Sequence, residues 1–133
     1  MTYRRPHGLR TNNISYLKTA IITGITGQDG AYLARFLLTW GYKVVGLIRS
    51  QYGSNLSRLK YLNLLQKIEL VECDLGDLSQ VLNIISLHQP QEIYNLAAQS
   101  SVSLSFQQPI GTIEFNVHSV LHLLEAIRLL NPE

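Results

Sequence analysis

The chain has 133 residues, 46% of them apolar, with a single cysteine and no low-complexity tract. That suits one core burying roughly two-thirds of the unfolded surface, offers no run of about 18 apolar residues to cross a membrane, and through the lone Cys73 excludes an internal disulfide framework, as a reducing, cytoplasmic setting would favour. The formal charge of +2 hides an asymmetry: residues 1–18 carry Arg4, Arg5, Arg10 and Lys18 and no acid, while the rest carries 7 basic and 9 acidic residues, a balance of −2, so the body has no basic stripe for nucleic acid.

Residues 1–18 read as a flexible basic extension. "TAIITG" (19–24) then reads as a strand, and "AYLARFLLTWGY" (31–42) as a helix with Leu33, Phe36, Leu37 and Trp40 at helical spacing and Gly41 as its stop. "KVVGLI" (43–48) is a second strand, "RSQYGSN" (49–55) a polar loop, and "LSRLKYLNLL" (56–65) a short helix or turn. "KIELVEC" (67–73) is a third strand. A helix over 77–88 follows, with Asp77 as N-cap and Pro90 past its end. "EIYNLAA" (92–98) is a fourth strand, 99–109 a long polar loop, and 112–130 a last helix. Apolar strands alternating with helical stretches predict a doubly wound α/β domain, a partial Rossmann fold with strand order 3-2-1-4.

The turn "GITGQDG" (24–30) carries glycines at spacing three between the first strand and the first helix. Gly24 lets the chain turn sharply, Gly27 lets a diphosphate approach the backbone, and Gly30 lets the helix pack closely. The helix N-terminus then offers N–H groups and a partial positive charge to phosphate. Asp29 fits either the helix dipole or a contact to ligand. The second strand ends in Arg49, where an acid would bind the bare ribose of NAD. A guanidinium there binds a 2′-phosphate, which favours NADP over NAD, unless Arg49 is simply a solvated loop residue. Asp74 either bonds an adenine amino group, with Leu75 against the ring, or caps a helix. Ala97 and Ala98 are small where a cofactor would lie across the sheet edge.

The segments "ITGITGQDGAYLARFLL", "RSQYGSN", "CDL" and "IYNLAAQSSVSLSFQQP" together resemble the extended short-chain dehydrogenase/reductases and, among them, the GDP-mannose 4,6-dehydratase family over about residues 19–130. The resemblance implies NADP as cofactor and conversion of GDP-mannose to GDP-4-keto-6-deoxymannose. It implies that Gly24, Thr26, Gly27, Gln28, Asp29 and Gly30 line the diphosphate, that Arg49 holds the 2′-phosphate, and that Asp74 and Leu75 meet the adenine. Leu96, Ala97, Ala98, Gln99 and Ser100 would lie along the nicotinamide half. It also implies a homo-oligomer, through the last helix (112–130) and the 49–58 segment. Ser101 stands where the family commonly has histidine, and Gly111 where it commonly has an aromatic residue.

The family's Tyr-x-x-x-Lys pair has no counterpart here: none of Tyr3, Tyr16, Tyr32, Tyr42, Tyr52, Tyr61 and Tyr94 has lysine four residues on. No catalytic residue is assigned. The expectation is the N-terminal part (19–133) of an NADP-binding domain, without the catalytic and sugar-binding part and inactive by itself. The rivals are another nucleotide-sugar epimerase or reductase, and a non-catalytic nucleotide-binding or interaction module. His118 and His122, four apart on a helix, read as packing rather than a metal pair, because no third ligand accompanies them. The apolar stripe Val117, Val120, Leu121, Leu124 and Ile127 suits a subunit contact or ordinary core packing. Cys73 reads as an inert core residue.

Overall fold

Three apolar residues in a row, Ala20, Ile21 and Ile22, alternate between two faces that are both covered, so β1 (Thr19–Thr23) is the interior strand. The computed structural model describes residues 18–131. The extension read over 1–18 therefore lies outside the described residues except for Lys18. The elements that follow are α1 (Gln28–Thr39), β2 (Lys43–Ile48), α2 (Ser57–Tyr61), β3 (Glu69–Glu72), α3 (Leu78–His88), β4 (Glu92–Asn95), α4 (Val102–Gln107) and α5 (Pro109–Leu130). All strand pairs are parallel and the order is β3-β2-β1-β4, as the pattern predicts.

The sheet separates two apolar layers. Ala20, Ile22, Val44 and Ile48 pack with α1 and with Leu59 of α2, while Ile21, Val45 and Leu47 pack with Val81, Ile84 and Ile85 of α3 and Leu123 and Ala126 of α5. Gly46 breaks the run in β2 for a reason of space: a Cβ there would lie 2.7 Å from Ile25 Cγ1. At the amino ends of the strands Glu92 accepts from Lys18 (3.0 Å), Tyr42 (2.9 Å) and Tyr94 (2.7 Å). The Tyr94 hydroxyl, then Lys18, hold its carboxyl below the usual carboxylate range.

Several local expectations shift. Helix α1 begins three residues earlier than read and ends at Thr39, closed by a Schellman pair in which Tyr42 N–H donates to Leu37 O and Gly41 N–H, at φ +76°, to Leu38 O. Its buried stripe is Gly30, Ala31, Ala34 and Leu37, whereas Phe36 and Trp40 are exposed. A helix lying close on a sheet needs small residues at the contact, so its bulkiest side chains point away. Strand β4 stops at Asn95, short of Ala98, and the stretch read as loop from 99 to 109 contains α4. Ser101 caps α4 by accepting from Leu104 N–H at 3.4 Å. Asp77 caps α3 as expected, accepting from Ser79 and Gln80 N–H.

Helix α5 buries only Ser119, Leu123 and Ala126. The stripe from Val117 to Ile127 read from its periodicity is exposed, so core packing within the described residues does not account for it.

Candidate functional site

The carboxyl ends of the strands meet in a cleft of roughly 350 Å³, at the bottom of the range for drug-sized ligands. A dinucleotide laid there would protrude from it. The first wall is the glycine turn. Gly24 has φ +67°, and a Cβ on it would lie 2.7 Å from the carbonyl carbon and oxygen of Leu96. Glycine is thus needed twice, for the left-handed backbone and for the passage of the chain leaving β4. Gly27 N–H donates to Gly24 O (3.0 Å) and Ala31 N–H to Gly27 O (3.1 Å), which closes the turn and starts α1. Gly27 is the N-cap and no side chain caps the helix, so the N–H groups of its first turn lack intrahelical and side-chain partners. Gln28 and Asp29 are exposed in that turn, and Gly30 is buried beneath it, its Cα facing Gly24 O and Ile25.

Thr23, fully buried at the end of β1, joins the turn to the fourth wall. Its hydroxyl donates to Asn95 Oδ1 (2.6 Å) and accepts from Leu96 N–H and Ala97 N–H (both 3.0 Å). Beyond it, Leu96, Ala97, Ala98, Gln99 and Ser100 line the cleft. Asn116 of α5 grips this segment from behind: Gln99 N–H donates to Asn116 Oδ1 (2.8 Å), and Asn116 Nδ2 donates to Gln99 O (3.3 Å). The Gln99 side-chain Nε2 is buried without a hydrogen-bond partner among the described residues, which is costly unless a ligand or water satisfies it.

Two arginines border the turn. Arg49 leaves β2, lines the cleft, and places its guanidinium 5.3 Å from the centre of the Phe115 ring. Arg58, on α2, donates to Thr26 O at 3.3 Å. The segment between them is tied to β3 by Gln51 N–H donating to Glu72 Oε1 (2.6 Å). On the third wall Leu75 and Cys73 face the cleft. Burial, then the charges of Asp74 and Asp77, push the Cys73 thiol up to about 11, so it is protonated at neutral pH. His122 lies half-buried against the same wall. Its Nδ1 is 2.9 Å from Leu75 O, and because a carbonyl only accepts, Nδ1 carries the proton. His118 stacks on it at 5.9 Å, and no group of three metal-ligating side chains occurs among the described residues.

Ten of the fourteen residues singled out from the sequence line this cleft: Gly24, Thr26, Gly27, Arg49, Leu75, Leu96, Ala97, Ala98, Gln99 and Ser100. Gln28, Asp29 and Gly30 form the helix start behind it. Asp74 does not line it. Its Oδ1 accepts from Gly76 N–H at 2.9 Å, closing a tight turn, and the helix cap is Asp77. Sequence reasoning missed Leu47, Ile48, Ser54 and Phe115 in the lining, placed Cys73 in the core alone and not on the cleft wall it also lines, and missed Thr23 and Asn116 behind it.

A parallel sheet in this order, a glycine turn opening α1 and a cleft across the strand ends define a Rossmann-type α/β domain. Solved structures agree. UDP-glucose 4-epimerase from Thermotoga maritima, with UDP-glucose, aligns at a TM-score of 0.74 and 26% identity over 85% of this chain and 35% of that one. The Thermus thermophilus UDP-glucose 4-epimerase complex with NAD aligns at 0.71 and 26%, over 84% and 34%. The family model for GDP-mannose 4,6 dehydratase matches residues 21–133. GDP-mannose 4,6-dehydratases from Yersinia enterocolitica and Vibrio cholerae are 43% and 47% identical, each over 85% of this chain and 32% of the relative. GDP-mannose 4,6 dehydratase 2 from Arabidopsis thaliana is 44% identical over 84% and 31%. The chain belongs to the GDP-mannose 4,6-dehydratase family, and it spans about a third of the length of the curated relatives it matches.

Proposed function

We propose that residues 19–133 are the N-terminal, NADP-binding part of a cytoplasmic nucleotide-sugar dehydratase (a lyase) that converts GDP-mannose to GDP-4-keto-6-deoxymannose. The observation that carries this is the cleft itself, where an uncapped glycine-turn helix start, Arg49 and the backbone from Leu96 to Ser100 line one groove. Donors of this kind, with Arg49 and, among the described residues, no carboxylate on the wall, suit a diphosphate and a 2′-phosphate. Gly24, Thr26, Gly27 and the α1 turn from Gln28 to Gly30 would hold the diphosphate, and Arg49 the 2′-phosphate. Leu75 would pack on the adenine, with Asp74 reaching its amino group only by sharing or leaving Gly76 N–H. Leu96 to Ser100 would lie along the nicotinamide.

NADP held by the glycine turn, Arg49 and the segment from Leu96 to Ser100 would supply a hydride acceptor and donor for the sugar. This chain's residues bind and orient for that chemistry. With no Tyr-x-x-x-Lys pair to move the hydroxyl proton, the 133 residues by themselves turn nothing over. The exposed stripe of α5 and the outward Tyr52 support a homo-oligomer made through 112–130 and 49–58. The same stripe favours a second reading, in which the chain acts as a non-catalytic partner of a longer family member.

The test is the melting temperature with and without NADPH, with NADH as control. At about a hundred times Kd, ligand adds ~2.7 kcal/mol to folding stability and raises the midpoint on the order of 10 °C. A rise with NADPH alone supports the assignment. A rise with NADH alone overturns the role of Arg49, and no shift from a cooperatively folded chain overturns cofactor binding by this polypeptide.

A further inference from the structure

Arg49 is exposed at the end of β2, yet its guanidinium sits over a ring supplied from the other side of the cleft. Its Cζ is 5.3 Å from the centre of Phe115, and both residues line the groove. Among the described residues no carboxylate pairs with Arg49, so its hydrogen-bonding fork is not taken by an acid. Phe115 is itself held in place, being half-buried against the apolar layer of α3 and α5 and next in sequence to Asn116, which is fixed by both its bonds to Gln99.

We propose that Phe115 is the positioning residue that makes Arg49 discriminate a phosphorylated ribose from a bare one. This rests on Arg49 meeting the 2′-phosphate. An arginine side chain is rich in rotamers, and ordering it costs a ligand affinity. A ring within 6 Å holds the cation through its electron-rich face and leaves the N–H donors available. Phe115 thereby removes part of the ordering cost before the ligand arrives. The benefit reaches only ligands that use the guanidinium. Specificity at the end of β2 is then set by a residue on α5, 66 positions away in sequence.

A matched pair of probes isolates the phosphate: adenosine 2′,5′-bisphosphate and adenosine 5′-monophosphate, titrated calorimetrically into the 133-residue chain. Thermal melts establish that each variant is folded. Wild type prefers the bisphosphate. Phe115→Leu lowers that preference about two- to fivefold, the size of an exposed cation–ring contact, and leaves affinity for the monophosphate within twofold. Phe115→Tyr, which keeps a ring, retains the preference, and Arg49→Ala abolishes it. An unchanged preference in Phe115→Leu, with Arg49→Ala effective, overturns the role of Phe115 while sparing that of Arg49. An unchanged preference in Arg49→Ala overturns both. Equal loss for the two probes in Phe115→Leu, or loss of preference in a folded Phe115→Tyr, marks Phe115 as merely structural. Binding of neither probe by folded wild type overturns the proposal for this chain.

Discussion

Gly30→Ala and Gly111→Ala make the same change at the same place in two helices, the third residue of α1 and of α5, and are expected to move stability in opposite directions. The helix term is shared: replacing glycine by alanine gains about 0.5–1 kcal/mol in a helix. The space is not shared. At Gly111 an added Cβ meets nothing within 4 Å, so the gain stands. At Gly30 the Cβ runs into Gly24 O and comes within 2.8 Å of Ile25 Cα and 2.9 Å of Gly24 C, all of them backbone. Overpacking against atoms that cannot rotate away costs about 1–3 kcal/mol, and the net is a loss of roughly 1–2 kcal/mol. In urea, followed by far-UV circular dichroism, Gly30→Ala should lower the midpoint by on the order of 1 M and Gly111→Ala raise it slightly, both with unchanged slope. A Gly30→Ala midpoint at or above wild type would refute the reasoning, since the turn would then have room to yield. Because the turn lines the proposed cofactor groove, Gly30→Ala should also weaken NADPH binding, which Gly111→Ala should leave alone.

Three further outcomes are expected. Thr23→Val leaves Leu96 N–H and Ala97 N–H without their part-buried acceptor and should cost about 1–3 kcal/mol in chemical denaturation, whereas Thr23→Ser should cost far less. Asp77→Ala removes the α3 cap and should lower the unfolding midpoint at neutral pH. The Ser79 hydrogen bond, then that of Gln80, depresses the Asp77 carboxyl, so the wild-type advantage over this variant should be complete above its unfolded-state pKa and disappear as pH falls through the lower folded value, readable from melts between pH 2 and 7. Cys73, 4% exposed and raised to about 11, should react with a thiol reagent at neutral pH far more slowly than free cysteine, and more slowly again with NADPH present. Rapid labelling of the folded chain would contradict its burial, and labelling unaffected by NADPH would contradict its placement on the wall of a cofactor cleft.

The strand order was legible because each strand is short, apolar and followed by its own helix, and right-handed crossovers leave few arrangements. The glycine turn was legible because its residues are adjacent in sequence. Side chains brought together by packing were harder to find. Thr23 sat inside a strand motif, and its three hydrogen bonds depend on where β4 ends. Phe115 and Asn116 belong to a helix read for its apolar stripe, yet Phe115 lines the cleft and Asn116 holds the segment behind it. Helix α4 was read as loop because its apolar residues Val102, Leu104 and Phe106 recur at spacing two, not at a helical period, among serines and glutamines, and it buries no residue. In α1 the periodicity misled in part: Leu37 packs on the sheet beside Ala31 and Ala34 and Leu33 lies against the core, while Phe36 and Trp40 mark the outside.

The pairing of β1 with β4 has a consequence for the order in which the molecule forms. The bonds from Leu96 and Ala97 to Thr23 join residues 73 and 74 positions apart. A chain emerging from the ribosome therefore has its glycine motif exposed long before the strand that passes over Gly24 exists. β1, α1 and β2 can associate through nearer contacts, but closing so long a loop is entropically slow. The turn's final shape is consequently a late event. Substitutions at Thr23 or Gly24 should act on the last stage of folding and on unfolding, leaving early collapse of the first half unaffected.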